Sequence, residues 1–351
     1  MSPKGFFLLL AVTLATVAGA VAAVLNQPAA WQAAQHDAPV FPLLEERLND
    51  LAKVEVVTAE GSVTVERTGE TWTLPGQHGY PARQRAVRDA VLGLKELKVA
   101  EPKTRTPEGF KRLRVEDLET EGARSRLVRL SAADGTVLAE ALLGRSRPGA
   151  LGQASGGLYY RVPGKDQAWL AAGEVELPET ERAWMQNDVA HLPSETVASL
   201  EVTHADGATF RAARATPEVK ALELEQVPEG REVATSETDQ LDSALSFVAF
   251  KEVAPAADIT FAATPNRALV TTFDGVEVTV ELGEAEGELW AKVKAALAAD
   301  APDEGREAAE ALVQEITDRT EGWAYQLDDH VVTRLLPKTE QFLQPEPKDD
   351  S

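Results

Sequence analysis

VEVVTAEGSVTV, residues 54–65, alternates apolar and polar side chains on both sides of a glycine turn, with Val54 and Val56 before Glu60-Gly61 and Val63 and Val65 after it. Successive side chains on a strand point to opposite faces. The period of two therefore predicts a hairpin with one buried face, and the glycine supplies the positive φ that a tight turn needs. The pattern returns 146 residues later in LEVTHADGATF, residues 200–210, where Leu200, Val202, Ala208 and Phe210 flank Asp206-Gly207. Downstream of the first hairpin Val87, Val91 and Leu94 are spaced by four and three, as on one face of a helix. Downstream of the second, Leu241, Leu245 and Val248 repeat those steps, with Ser236 and Asp239 as a capping box. Val99-Ala100-Glu101-Pro102 and Val253-Ala254-Pro255 follow the two helices. A second hairpin comes next in each copy, Leu127 to Val137 turning at Asp134-Gly135 and Leu269 to Val278 turning at Asp274-Gly275. Each copy then reaches a Leu-Gly step, Leu143-Gly144 and Leu282-Gly283.

Three elements recurring in one order predict an α+β fold of two tandem β-hairpin/helix/β-hairpin repeats, each an antiparallel sheet covered on one face by its helix. The first repeat is expected over 54–192 and the second over 193–343. Leu158 to Val162 and Ala168 to Leu170 read as further strands joined by a Pro163-Gly164 turn, and Ala183-Trp184-Met185 leads into the second repeat. Glu307 to Arg319 reads as a helix with Ala308, Leu312 and Ile316 on one face, and Trp323 to Leu327 as a closing strand. Ahead of the first hairpin, Leu44, Leu48 and Leu51 predict a short amphipathic helix at the end of a linker segment, 26–53. The tail, 344–351, lacks the apolar content to pack.

Gly5 to Leu25 is a run of 21 residues without a charge. At about 1.5 Å per helical residue it spans roughly 30 Å, the thickness of a bilayer's hydrocarbon core, where a signal peptide has an apolar stretch of about 7–15 residues. This predicts a transmembrane helix ahead of the repeats. Lys4 is the only charge before it, so the stub 1–4 stays in the cytoplasm and the body crosses the membrane. Cleavage after Ala20-Val21-Ala22 is the competing reading. The chain has no cysteine, which excludes disulfides, thiolate metal sites and a lipid attached at cysteine.

The net charge of −22 is uneven. Residues 54–150 carry 16 Lys/Arg against 14 Asp/Glu, whereas residues 151–351 carry 16 against 39. Such an acidic second half repels nucleic acid and anionic headgroups, so no nucleic-acid partner is expected. Arg83, Arg85 and Arg88 on the first predicted helix, with Lys111, Arg112 and Arg114 beyond it, form the one basic concentration. It reads either as a contact surface for anionic lipid or an acidic partner, or as helix-surface residues balanced by Asp89 and the acidic loop Glu116 to Glu121.

No catalytic motif emerges. Gly157 to Asp166 has the wrong spacing for a phosphate loop, and Gly152 to Gly157 does not place Ser155 on a nucleophile elbow. His36, His78, His191, His204 and His330 are far apart, and Asp328-Asp329-His330 alternates faces on an extended chain and so reads as a polar turn. Glu284, Glu286 and Glu288 read as a solvated edge rather than a cation or sugar site. Catalytic, cofactor and metal residues are therefore none, and the chain is not expected to be an enzyme.

Pro42-Leu43-Leu44 through Leu48-Asn49-Asp50-Leu51, Trp72-Thr73-Leu74, Tyr80-Pro81-Ala82, and Pro107-Glu108-Gly109-Phe110 running into Leu113 to Asp117 stand in the order of a bacterial family of exported proteins, domain of unknown function 4340, which the chain resembles from Phe41 to Leu343. Arg114 stands where similar sequences often show glycine. The family's association with ABC-type transport systems similar to the gliding-motility transporter implies a non-catalytic accessory subunit. Expected partners are the bilayer, through 5–25, and membrane proteins of the transport complex. The expected location is the bacterial inner membrane, single-pass, with the body in the periplasm. The alternatives are a periplasmic ligand-binding receptor and a carboxylate-based envelope hydrolase.

Overall fold

The computed structural model describes residues 37–149, 156–225, 227–234, 238–243, 245–246 and 248–344. The predicted anchor at 5–25, its alternative cleavage site, the linker up to residue 36, His36, Ser155, Ser236 and the tail from 345 lie outside the described residues. Among the described residues no helix is long and apolar enough to cross a membrane. The protein is α+β with two antiparallel sheets. It divides into two compact units, Met1–Arg67 with Arg85–Leu177, and Thr68–Gln84 with Pro178–Ser351.

Unit 1 begins with α1 (Pro42–Glu46), β1 (Leu51–Val57) and β2 (Ser62–Thr68). Strands β3 (Thr71–Leu74) and β4 (Tyr80–Pro81) follow in the chain and are counted with unit 2. Then come α2 (Gln84–Glu96), β5 (Lys98–Pro102), α3 (Pro107–Leu113), β6 (Arg126–Ala132), β7 (Val137–Arg147), β8 (Gly157–Arg161) and β9 (Ala168–Ala172). Within unit 1 the strands lie in the order β2-β1-β6-β7-β8-β9-β5. The first hairpin has the expected register, Val54 opposite Val65 and Val56 opposite Val63. Val54, Val56 and Val65 are buried with Val128 and Leu130 of β6 on one face of the sheet. Helix α2 buries Val87, Val91 and Leu94 as its spacing predicts, together with Ala86 and Ala90. Each fully buried valine or leucine contributes about 2 kcal/mol. A Cβ on Gly93 would stand 2.8 Å from the Glu174 carbonyl oxygen, so the helix packs directly on the chain leaving β9. The predicted helix over 41–51 is shorter than expected: α1 ends at Glu46, a 3-10 turn covers Leu48–Asp50, and Leu51 already belongs to β1.

Unit 2 contains α4 (Glu181–Trp184), β10 (Val197–Thr203), β11 (Thr209–Ala213), β12 (Glu223–Leu224), β13 (Phe250–Pro255), β14 (Asn266–Thr272), β15 (Val276–Ala285), β16 (Glu288–Leu297), α5 (Arg306–Thr320), β17 (Trp323–Leu327) and α6 (Asp329–Leu335). Its sheet runs β12-β11-β10-β14-β15-β16-β17-β13, so apart from the added two-residue β12 the order repeats that of unit 1 strand for strand. The irregularities repeat as well. Register shifts between Leu51 and Lys53 against β6, and between Val197 and Ser199 against β14.

Three expectations need correction in unit 2. The α-helix through Leu241, Leu245 and Val248 is instead a 3-10 segment, Thr238–Ser243, although those three apolar residues are buried. Asp and Ser side chains compete with helical backbone hydrogen bonds. Here Asp242 faces the Arg214 guanidinium at 3.6 Å and the Ser243 carbonyl accepts from Arg334. The helix that lies on this sheet is α5, packed against β15 and β16. Its buried stripe is Ala309, Ile316 and Thr320, with Ala308 exposed. On β11 the buried positions are Phe210 and Ala212, while Ala208 is exposed in the turn.

Candidate functional site

The polar face of the unit 1 sheet carries a groove of about 710 Å³ floored by β1, β2, β6 and β7, with Lys53, Glu55, Glu66, Arg129, Ser131 and Glu140 among its lining residues. Strand alternation puts them there, because the neighbouring Val54, Val65, Val128 and Leu130 point into the core. Cross-strand register sets Lys53 against Glu66, Glu55 against Arg129 and Arg129 against Glu140. The Lys53 ammonium stands 3.1 Å from Glu55 and 3.7 Å from Glu66, and the hydrogen bond to Glu55 is the main reason its pKa is raised. Arg129 Nη2 stands 2.6 Å from Glu140. At the rim, the backbone N–H of Thr136 chiefly holds the Asp134 carboxyl below its ordinary range, and Arg47 adds to the effect. These carboxylates face cations in an open setting, which suits binding of a mixed-charge surface and gives none of them the apolar surroundings of a general acid.

The residues considered for chemistry from sequence do not converge. Among the described residues no group of three or more His, Cys, Asp or Glu could hold a metal ion. Asp328 turns to Arg182 at 2.9 Å and Asp329 to Lys251 at 2.7 Å. His191 bonds to the Ser246 carbonyl, and buried His204 to that of Pro337. Glu286 lies in the β15–β16 turn at φ 55, so Glu284, Glu286 and Glu288 do not share one side of a strand.

The basic residues sit on two different helices. On α2, Arg85 and Arg88 both reach Asp89, at 3.4 and 3.6 Å, and Arg83 precedes them with its backbone N–H donating to Trp184. On α3, Thr106 caps the N-terminus by accepting from the Gly109 N–H, and Lys111 and Arg112 fill the last turn. Arg114 closes this helix in the left-handed region, φ 60 and ψ 43, a conformation that favours glycine. Two arginines missed in the sequence stand beside this end. A Cβ on Gly144 would lie 2.2 Å from the Leu113 carbonyl oxygen and 3.0 Å from that of Arg114, so β7 passes directly against the helix terminus. Arg145 follows, its guanidinium 5.7 Å from the centre of the Tyr159 ring, and Arg147 is exposed two residues on. The repeated Leu-Gly step was the available signal. It marks a close approach but not the segment that approaches.

A family model, domain of unknown function (DUF4340), matches residues 72–264. The chain belongs to the DUF4340 family. The DUF4340 match starts in β3, takes in Tyr80-Pro81-Ala82, α2, α3 and the Arg114 turn, and ends in the connection after β13. Pro42 to Leu51, part of the resemblance read from sequence, lies ahead of the matched DUF4340 residues. No curated protein matches the chain.

Proposed function

We propose that this DUF4340 protein is a membrane-anchored, non-catalytic interaction module, an accessory subunit of an ABC-type transport system of the gliding kind. It is held at the bacterial inner membrane by residues 5–25, with its body in the periplasm. The observation that carries this reading is the uncharged 21-residue run Gly5 to Leu25, followed by a body rich in charge. The common strand order supports the finer reading of the body as a tandem duplication, the second copy having gained α5 between β16 and β17 where the first has only a turn. The open, charge-alternating groove supports action through surfaces.

Exchanging residues 5–25 for a cleavable signal tests it. The expected product is a folded body that no longer co-purifies with membrane proteins of the transport complex and fails to restore a deletion strain. Full restoration by that soluble form rejects the proposal.

A further inference from the structure

We propose that the C-terminal end of α3 and the bulge of β7 form a docking surface for the anionic phospholipid headgroups of the leaflet that unit 1 faces. This rests on the membrane-anchored reading above. Lys111, Arg112, Arg114, Arg145 and Arg147 are all exposed. Three features of the fold gather them. The left-handed turn at Arg114 ends α3 abruptly, and the bare Cα of Gly144 admits the Leu113 and Arg114 carbonyls against β7. The β7–β8 register shifts between Leu143 and Ser146, so Gly144 and Arg145 both oppose Tyr159. The bulge therefore brings Arg145 over the Tyr159 ring, which is packed with Leu113 and Val115 at the root of the same turn.

The charges are available. Arg85 and Arg88 are engaged by Asp89, Lys53 by Glu55 and Glu66, and Arg129 by Glu140. Among the described residues no ion pair engages Lys111, Arg112, Arg114, Arg145 or Arg147. Of the acids nearby, Asp117 is taken by buried Arg161, Glu116 is buried, Glu119 and Glu121 are exposed in the next loop, Glu108 stands in the first turn of α3, and the Glu174 carboxylate lies near the Arg147 backbone at Gly156. Headgroups are the occupant because of how the chain arrives. The Asp37 N–H donates to Val99 at 3.0 Å and the Val99 N–H to Ala38 at 2.8 Å, fixing residue 37 to unit 1. Only residues 26–36 separate it from the apolar run. Eleven residues reach at most about 40 Å, so residue 37, and unit 1 with it, is tethered within that distance of the bilayer. Each cation at such a surface strengthens attraction roughly fivefold, and salt screens it.

The absence of cysteine allows a single reporter. The full chain carrying Ser146→Cys, labelled with a polarity-sensitive fluorophore, is placed in vesicles of phosphatidylcholine alone or with one third phosphatidylglycerol. The expected result is a blue shift only in the anionic vesicles, reversed by high salt, abolished in Arg112→Gln/Arg114→Gln/Arg145→Gln and kept in Arg85→Gln/Arg88→Gln. Identical emission in the two vesicle types, an unchanged shift in the triple variant, or a shift produced by polyglutamate but not by lipid overturns the proposal. Carbonate extraction from the neutral vesicles reads the anchor separately. A retained chain without the shift rejects the docking surface alone, and an extracted chain that still shifts rejects the anchor and keeps the surface.

Discussion

Gly144 on β7 and Gly283 on β15 occupy matching places, and each lies under the connection that crosses its own sheet. A Cβ on Gly144 would meet the backbone carbonyl of Leu113 at 2.2 Å, while one on Gly283 would meet the Phe261 ring at 2.5 Å. A side chain that can change its χ1 rotamer gives way more cheaply than a helix terminus moves. Gly144→Ala is therefore expected to cost about 3 kcal/mol and Gly283→Ala about half that, as overpacking does, in urea unfolding. Equal costs would show that the two contacts do not differ in stiffness. Arg114 is the converse case, a side chain where the backbone asks for glycine at φ 60. Relief of left-handed strain outweighs the extra freedom of unfolded glycine, so Arg114→Gly should raise stability by about 0.5–1 kcal/mol. Loss of stability would mean that the exposed guanidinium contributes more than the strain.

Strand β5 ends the unit 1 sheet, and a lone edge of unpaired amides invites unwanted pairing. Residues 37–40 cover it through hydrogen bonds from Asp37 and Val40 to β5 and its approach, and from Val99 to Ala38. In unit 2 the corresponding edge is β13, where the Val189 N–H reaches the Val248 carbonyl at 3.5 Å just ahead of the strand. Lys251, Glu252, a register shift between Phe250 and Glu252, and Pro255 protect β13 in another way, since charge, bulge and proline all resist strand addition. Val99→Pro removes the central donor of the β5 strap. Hydrogen exchange should show the amides of Asp37 and Val40 losing protection, with a cost of about 2–3 kcal/mol to the unit. Protection unchanged at both would show that the strap does not depend on that bond. At the neighbouring helix, Thr106→Ala removes the cap of α3 and is expected to cost about 1 kcal/mol in the same unfolding measurement.

At the scale of the whole molecule, alkaline stability depends on buried phenols. In unit 2 Tyr80 meets Phe250, Trp323 and Tyr325 edge-on, with ring centres 5.7, 4.9 and 6.3 Å away. Its hydroxyl donates to the Gln186 carbonyl and that of Tyr325 to the Arg319 carbonyl. Burial pushes the Tyr80 phenol up to about 12 and that of Tyr325 higher still, and in unit 1 it raises Tyr160 as well. An acid whose folded pKa is raised keeps its full contribution below the unfolded value near 10. Above that the unfolded chain releases the proton first, so stability falls as pH rises from about 10 through the folded pKa. Absorbance of tyrosinate near 295 nm should appear together with loss of tryptophan fluorescence, and Tyr325→Phe should flatten the decline. Tyrosinate forming well before unfolding would contradict the burial account.

Hairpins and the order of elements were legible because they depend on residues a few positions apart: Val54 with Val56, Gly135 and Gly275 at their turns, Val87 with Val91 and Leu94; Gly61, expected to supply a positive φ, does not adopt one. Lys111, Arg112 and Arg114 were equally local, whereas the glycine expected at Arg114 came from the family resemblance and is explained by the left-handed backbone there. The helix expected through Leu241, Leu245 and Val248 failed because its apolar spacing matched while Asp242 and Ser243 were drawn to Arg214 and Arg334, which lie 28 and 91 residues away in the chain. Arg145 and Arg147 joined the basic cluster only through a bulge and a bare Cα, neither of which has a sequence period. Sequence by itself determined the two hairpins of each unit and the apolar run at the amino terminus, since each follows from backbone preference and local side-chain alternation, whereas β16 was not read from it. The tertiary structure alone decided which charges are paired off and which remain exposed together, because that depends on contacts between segments brought close by packing.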